Sequence, residues 1–179
     1  MSTILQAVFI FSLAFTPIRT PIVSVKDADK TPEELVKESV KEKHFALLSN
    51  ELQQKFGFHI EKLGWPIQKP EIYYVTFYAY YPNKISSQQE ARELIVAASS
   101  FVLSYLNSNP DLVPCLSEHP FTAENMFFSI KFVPNLMAEE GWSSVSLIKG
   151  KVSFNYIYDK VKVPSETFEE AKAKVNGRP

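Results

Sequence analysis

Residues 71–81 read EIYYVTFYAYY, and the alternation of their side chains constrains the fold more than any other feature of this sequence. Side chains of an extended segment point in turn to opposite faces of a sheet. One face would carry Tyr73, Val75, Phe77, Ala79 and Tyr81, and the other Ile72, Tyr74, Thr76, Tyr78 and Tyr80. The first set is the more apolar, so the segment is predicted to be a strand with that face in a core.

Three further segments show the same alternation between an apolar face and a face rich in hydroxyl groups. They cover residues 126–133, 145–149 and 151–159. Met126, Phe128, Ile130 and Phe132 oppose Phe127, Ser129, Lys131 and Val133; Val145 and Leu147 oppose Ser144 and Ser146; Val152, Phe154, Tyr156 and Tyr158 oppose Ser153, Asn155 and Ile157. The last two segments flank Lys149-Gly150-Lys151, which predicts a hairpin.

Three segments have the signals of helices. Residues 31–34, TPEE, supply a cap, a proline in the first turn and a glutamate three positions after the cap, and Gly57 is a typical stop. Residues 87–90, SQQE, form a second capping box before a long apolar stripe. A shorter helix is predicted over residues 165–175.

The order of these elements is helix, strand, helix, three strands and helix. This order predicts an α+β two-layer sandwich, with a mainly antiparallel sheet of about four strands and the helices packed on one face. The length of 179 residues suits one domain, which we place at residues 24–179.

Residues 1–23 are predicted to be an export signal and leader. Ile4–Phe15 is almost wholly apolar but too short to span a bilayer, and Pro17 and Arg19 interrupt the apolar run. The first residues lack the lysine or arginine typical of such signals, so a buried strand or a membrane-associating stub is the alternative. We therefore expect a periplasmic, envelope or secreted protein whose contact with the membrane is transient and limited to this segment.

Composition and motifs argue against several classes of function. A formal charge of −1 gives no electrostatic reason to expect a nucleic-acid partner. The five glycines lack phosphate-loop spacing, and no metal-ligand motif occurs, so we expect neither a cofactor nor a metal. His44 falls on the apolar stripe of the first helix and is expected to be structural.

If the apolar faces meet the helices, the opposite faces form a platform of rings and hydroxyls. The residues predicted to bind a ligand there are Tyr74, Tyr78, Tyr80, Lys131 and Asn155. Tyrosine with asparagine and serine is typical of contact surfaces, although tyrosine is also a good strand former. We expect a non-enzymatic protein that binds a protein or a small ligand through a face or edge of its sheet. A carbohydrate-binding module, with tyrosines stacked on sugar rings, is an alternative.

A second alternative is a hydrolase of the thiol type. Cys115, the chain's one cysteine, and His119 stand four residues apart beside Glu118. A thiol and an imidazole at this separation could act as a nucleophile and its base. The flanking Pro114 and Pro120 predict an irregular loop, which favours a structural role for both side chains.

Overall fold

A computed structural model describes residues 30–64, 75–116, 119–136 and 140–177. Within these ranges the chain has the predicted α+β fold, in which helices accompany a six-stranded sheet. The helices are α1 (Pro32–Phe56), α2 (Gln88–Ser108), α3 (Val133–Leu136) and α4 (Phe168–Val175). The strands are β1 (His59–Gly64), β2 (Val75–Tyr81), β3 (Met126–Phe132), β4 (Trp142–Ile148), β5 (Lys151–Tyr156) and β6 (Glu166–Thr167).

Each long helix begins at a side-chain cap. Thr31 accepts a hydrogen bond from the Glu34 amide at the start of α1, and Ser87 accepts one from the Glu90 amide at the start of α2. A capping box of Thr167 with Glu170 begins α4, two positions after the predicted start at residue 165. These bonds satisfy amide groups that the first helical turn leaves without partners.

The sheet corrects the predicted architecture in two respects. It has six strands rather than about four, in the order β1-β2-β3-β4-β5-β6, and it is mixed. β2 and β3 are parallel, whereas the other neighbouring pairs are antiparallel. The parallel pair arises because the whole of α2 lies between these two strands, which leaves room for a crossover connection.

β1 and β6 escape sequence-based prediction for identifiable reasons. In β1 the register shifts between Ile60 and Lys62, so a bulge interrupts the alternation that identifies a strand. β6 has only two residues and pairs with Lys151 and Val152 of β5. Neither segment offers a run of alternating residues long enough to recognise.

Burial along β2 and β3 follows the predicted alternation. Val75, Phe77 and Ala79 are buried, whereas Thr76 and Tyr78 between them are half-buried. The apolar face meets the helices: Phe45 of α1 packs edge-on against Phe77, and Arg92 of α2 stacks its guanidinium 5.3 Å from the ring centre of Phe154. Packing of this face against the helices excludes water from the core, which stabilises the fold.

The alternation fails at the end of β5. Tyr158 was predicted on the apolar face and Ile157 opposite, but Ile157 is buried and Tyr158 is 78% exposed. The strand ends at Tyr156 and continues as a 3-10 turn, Ile157–Asp159, in which Tyr158 has a φ of 57°. A turn in place of a strand rotates the following side chains away from the faces predicted for them.

We predict that Gly150→Ala destabilises the protein more than Gly57→Ala does. Both glycines have a φ of 71°, so an alanine costs about 1–2 kcal/mol at either position. A Cβ at Gly150 would also lie 2.1 Å from a carboxylate oxygen of the exposed Glu124 side chain, which must turn aside, whereas a Cβ at Gly57 meets no atom within 4 Å. Urea denaturation of the two variants measures the difference. Equal losses would mean that the hairpin turn and Glu124 do not constrain each other.

Candidate functional site

Twelve positions on β2 to β5 share the face opposite the apolar one, and we call this set the outer face. They are Thr76, Tyr78, Tyr80, Phe127, Ser129, Lys131, Ser144, Ser146, Ile148, Lys151, Ser153 and Asn155. The register arranges them in three rows that cross the four strands. Six of the twelve are serine, threonine or asparagine, and two are tyrosine.

The structure brings three of the predicted binding residues into one row. Tyr80 lies opposite Lys131, Lys131 opposite Ser144, and Ser144 opposite Asn155. Adjacent strands lie about 4.8 Å apart, so this row is about 14 Å long. Tyr78 occupies the neighbouring row, opposite Ser129. Tyr74, the fifth predicted residue, lies outside the described residues.

Side-chain contacts order both rows. The Lys131 ammonium lies 5.7 Å from the ring centre of Tyr80, and the rings of Tyr78 and Phe127 are 5.3 Å apart. The Asn155 amide donates to the Ser144 hydroxyl over 2.9 Å. Tyr78 and Tyr80 are half-buried, whereas Lys131 and Asn155 are exposed. The rings are therefore held in place while the charge and the amide reach solvent.

The charge of the outer face is of one sign. It contains two lysines, Lys131 and Lys151, and no acidic residue. Within the described ranges neither lysine forms an ion pair. Glu61 on β1 contacts the end of the row, where its hydrogen bond to Tyr80 raises the pKa of that phenol. The positive charge of the outer face therefore lies on β3 and β5.

A cleft of about 280 Å³ lies beside β5, at the end of the same row. It is lined by Phe154, Asn155, Tyr156, Val161, Lys162 and Val163. β6 pairs only with the first two residues of β5, so the segment around Lys162 is separated from the second half of that strand. Asn155 is shared by the row and the cleft, and the lining by Phe154 and Tyr156 places the cleft along the edge of β5.

The Cys115 thiol is placed for packing. Its sulfur lies 3.7 Å from the carbonyl oxygens of Lys37 and Asp111, and its one S–H can donate a weak hydrogen bond to either. Burial raises the pKa of the thiol, which favours the unreactive protonated form. His119 is exposed, and among the described residues no hydrogen bond joins it to Cys115. Glu118 lies outside the described residues.

We predict that the folded protein reacts with iodoacetamide at pH 8 several-fold more slowly than the same chain in urea does. The reason is that burial keeps Cys115 protonated and restricts access to its sulfur. Mass spectrometry of the alkylated protein against time gives both rates. A folded-state rate above the unfolded one would revive the thiol-enzyme alternative.

The structure also shows a polar cluster that sequence analysis missed, built around His44. His44 is buried, its Nδ1 lies 3.0 Å from the Tyr105 hydroxyl, and its Nε2 lies 2.7 Å from an Asp111 carboxylate oxygen. The hydrogen bond to His44 lowers the pKa of Asp111, and burial raises the pKa of Tyr105. Both ring nitrogens of His44 have a hydrogen-bonding partner, so His44 joins α1 to the end of α2. The partners lie 61 and 67 residues away, and no local pattern could reveal them.

In the part of the chain that the structure describes, no three His, Cys, Asp or Glu side chains converge in a way that could hold a metal ion. Among the described helices, none combines the length and apolar character needed to cross a bilayer.

Comparisons with family models, with curated proteins and with solved structures find no match to this chain. The geometry of the chain's own residues, above all of the outer face and the cleft, is therefore the evidence for its function.

Proposed function

We propose that this chain is an exported, non-enzymatic binding domain that holds its ligand on the outer face of its sheet. The observation that carries the proposal is the row Tyr80, Lys131, Ser144 and Asn155, which crosses four strands in register. It combines a ring, a cation, a hydroxyl and an amide on a rigid support. Sites built on strands position side chains more precisely than sites on loops do.

The proposal takes the helices to form one layer on the apolar face, as in a two-layer sandwich. Contacts of Phe45 with Phe77 and of Arg92 with Phe154 support this arrangement, because both join a helix to the apolar face. The outer face would then be available to a ligand. Its partly exposed Phe127 and Ile148 are consistent with a surface that a ligand covers in part.

Export is the second part of the proposal. It is supported by the apolar run Ile4–Phe15 and its length, both features of the sequence. Cell fractionation followed by N-terminal sequencing of the native protein tests it. Recovery from the envelope or the medium, without the apolar run, is expected. Recovery from the cytosol with Met1 in place would contradict it.

Photo-crosslinking in the native cells tests whether the outer face binds a ligand. p-Benzoylphenylalanine introduced at Tyr80 keeps an aromatic ring in the row and inserts into C–H bonds of any ligand class. The control position is Gln54, which is exposed on α1. We expect adducts of raised mass from Tyr80 and none from Gln54.

Two results would contradict the proposal. One is the absence of adducts from Tyr80, and the other is an equal yield from both positions. Adding Lys131→Glu to the Tyr80 variant provides a further check. It reverses the charge at the centre of the row, so the yield of adducts should change if the row binds the ligand.

A further inference from the structure

We propose that the ligand is an acidic polysaccharide, a chain of uronate sugars, that lies along the row Tyr80, Lys131, Ser144 and Asn155 and ends in the cleft beside Lys162. This inference rests on the proposed function, because it names the chemistry of the ligand held on the outer face.

Charge complementarity is the first argument. Lys131 and Lys151 on the outer face and Lys162 in the cleft form no ion pair within the described ranges. The twelve outer-face positions include no carboxylate to neutralise them. Lys131 lies in the row and Lys162 lines the cleft, whereas Lys151 lies two rows away on the same face. Two cations along the path suit an anion of low charge density, such as a carboxylate on each sugar. They are too few for the dense phosphates of a nucleic acid.

Hydrogen-bonding capacity is the second argument. Asn155 uses its amide N–H on Ser144, which leaves its Oδ1 as an acceptor and the Ser144 hydroxyl as a donor. Ser129 and Ser153 in the neighbouring row can each donate and accept. Side chains that can both donate and accept hydrogen bonds match the hydroxyl groups of a sugar, which also do both. A strand-like acidic peptide would instead seek the backbone groups of a sheet edge.

The rings supply the third argument. Tyr80 is held between the Lys131 ammonium and the Glu61 carboxylate, and Tyr78 packs against Phe127. Rings held in this way lose little conformational entropy when a ligand covers them. The electron-rich face of a phenol attracts the C–H groups of a sugar ring.

The cleft limits the size of what can end there. Its volume of about 280 Å³ lies at the small end of ligand sites and suits one sugar ring, with Lys162 near the carboxylate. Since Asn155 lines both the cleft and the row, one chain can occupy both. The geometry therefore predicts an elongated ligand with one end held in the cleft.

Isothermal titration of the purified full-length protein tests the inference with alginate oligosaccharides as the probe. Dextran, which lacks carboxylates, and poly-L-glutamate, which lacks sugars, are the comparison polymers. We expect binding to alginate that weakens as sodium chloride is added, and at least tenfold weaker binding to both comparison polymers.

Variants locate the site. Lys131→Gln should weaken alginate binding about fivefold, as expected for the loss of one exposed ion pair, and Asn155→Ala should also weaken it. The control is Lys43→Gln, which removes an exposed lysine from α1 and should leave binding unchanged. Circular dichroism of each variant shows whether the fold is intact.

Three results would overturn the inference: no binding to alginate, equal binding to poly-L-glutamate or dextran, or binding that Lys131→Gln leaves unchanged. If alginate does not bind but crosslinking at Tyr80 gives adducts in cells, the identification of the ligand as an acidic polysaccharide is wrong. The proposal that the outer face binds a ligand is then still supported. If both experiments fail, both proposals are wrong.

Discussion

Glu166→Gln should lower the free energy of unfolding by about 3–5 kcal/mol, because it breaks a buried ion pair and leaves the other charge in place. Arg92 and Glu166 are each only 8% exposed, and the Arg92 Nε donates to a Glu166 oxygen over 2.6 Å. Lys174 of α4 donates to the other oxygen. These contacts join α2, β6 and α4, so removal of the Glu166 charge should weaken the packing of all three elements together. Chemical denaturation of the purified variant measures it.

The matched control is Glu169→Gln. Glu169 pairs with Lys172 on the same helix, but its side chain is largely exposed, and solvent screens such pairs. The control should be as stable as the wild-type protein within experimental error. A loss at Glu166 no larger than at Glu169 would mean that the Glu166 carboxylate does not hold α2 and α4 to the sheet.

The pKa of the Glu166 carboxyl group also makes the stability of the protein depend on pH. Burial alone would raise the pKa of Glu166, but hydrogen bonds and charge from Arg92 and Lys174 outweigh it and lower the pKa. A pKa lower in the folded state than in the unfolded state contributes stability above the unfolded value, near 4.5, and this contribution is lost as the pH falls through the folded value. Glu166→Gln should lack this contribution, so its stability should approach that of the wild-type protein below pH 4.5.

Phe77→Ala should lower the free energy of unfolding by about 3–5 kcal/mol. Tyr78→Ala, one position along the same strand, should lower it by about 1 kcal/mol. Phe77 is fully buried against Phe45 and Phe128, so its removal leaves a cavity. Tyr78 is half-buried on the outer face and packs mainly on Phe127. Urea denaturation compares the two variants directly.

The pair of substitutions tests whether the two faces of β2 have separate roles. A large loss for Phe77→Ala alone supports an apolar face that stabilises the fold and an outer face that is free for a ligand. Equal and large losses would mean that Tyr78 belongs to a second core, and the outer face would then not be a binding surface.

Elements with strong local signals could be predicted from the sequence. The helix caps at Thr31 and Ser87 and the hairpin at Lys149-Gly150 depend on residues that are close in the chain, and all are present. The sorting of β2 and β3 into two faces depends only on alternation, and burial follows it. These features need no knowledge of distant contacts.

Features set by distant contacts could not be predicted. The bulge in β1, the parallel pairing of β2 with β3 and the shortness of β6 depend on which strands meet. The exposure of Tyr158 depends on the turn Ile157–Asp159, which contains no glycine or proline from which a turn could be predicted. The exposed Val36 of α1 shows the same limit, because an apolar stripe does not reveal where the core beneath a helix ends.

The candidate site was predictable in part for the same reason. Alternation placed Tyr80, Lys131 and Asn155 on one face, but only the register of the strands puts them in one row. The cleft beside Lys162 depends on where β6 stops pairing with β5, and the sequence has no signal for that point.

Thiol labelling of the outer face tests the central claim most directly. Ser129→Cys and Asn155→Cys are placed one at a time in a Cys115→Ala background, with Ala97→Cys on the exposed side of α2 as the control. We predict that a maleimide reagent labels all three in the purified protein, and that in intact native cells only the two outer-face cysteines are protected. Outer-face cysteines that resist labelling in the purified protein, or that react as fast in cells as the control does, would contradict a face that is free in the isolated domain and covered by a ligand in the cell.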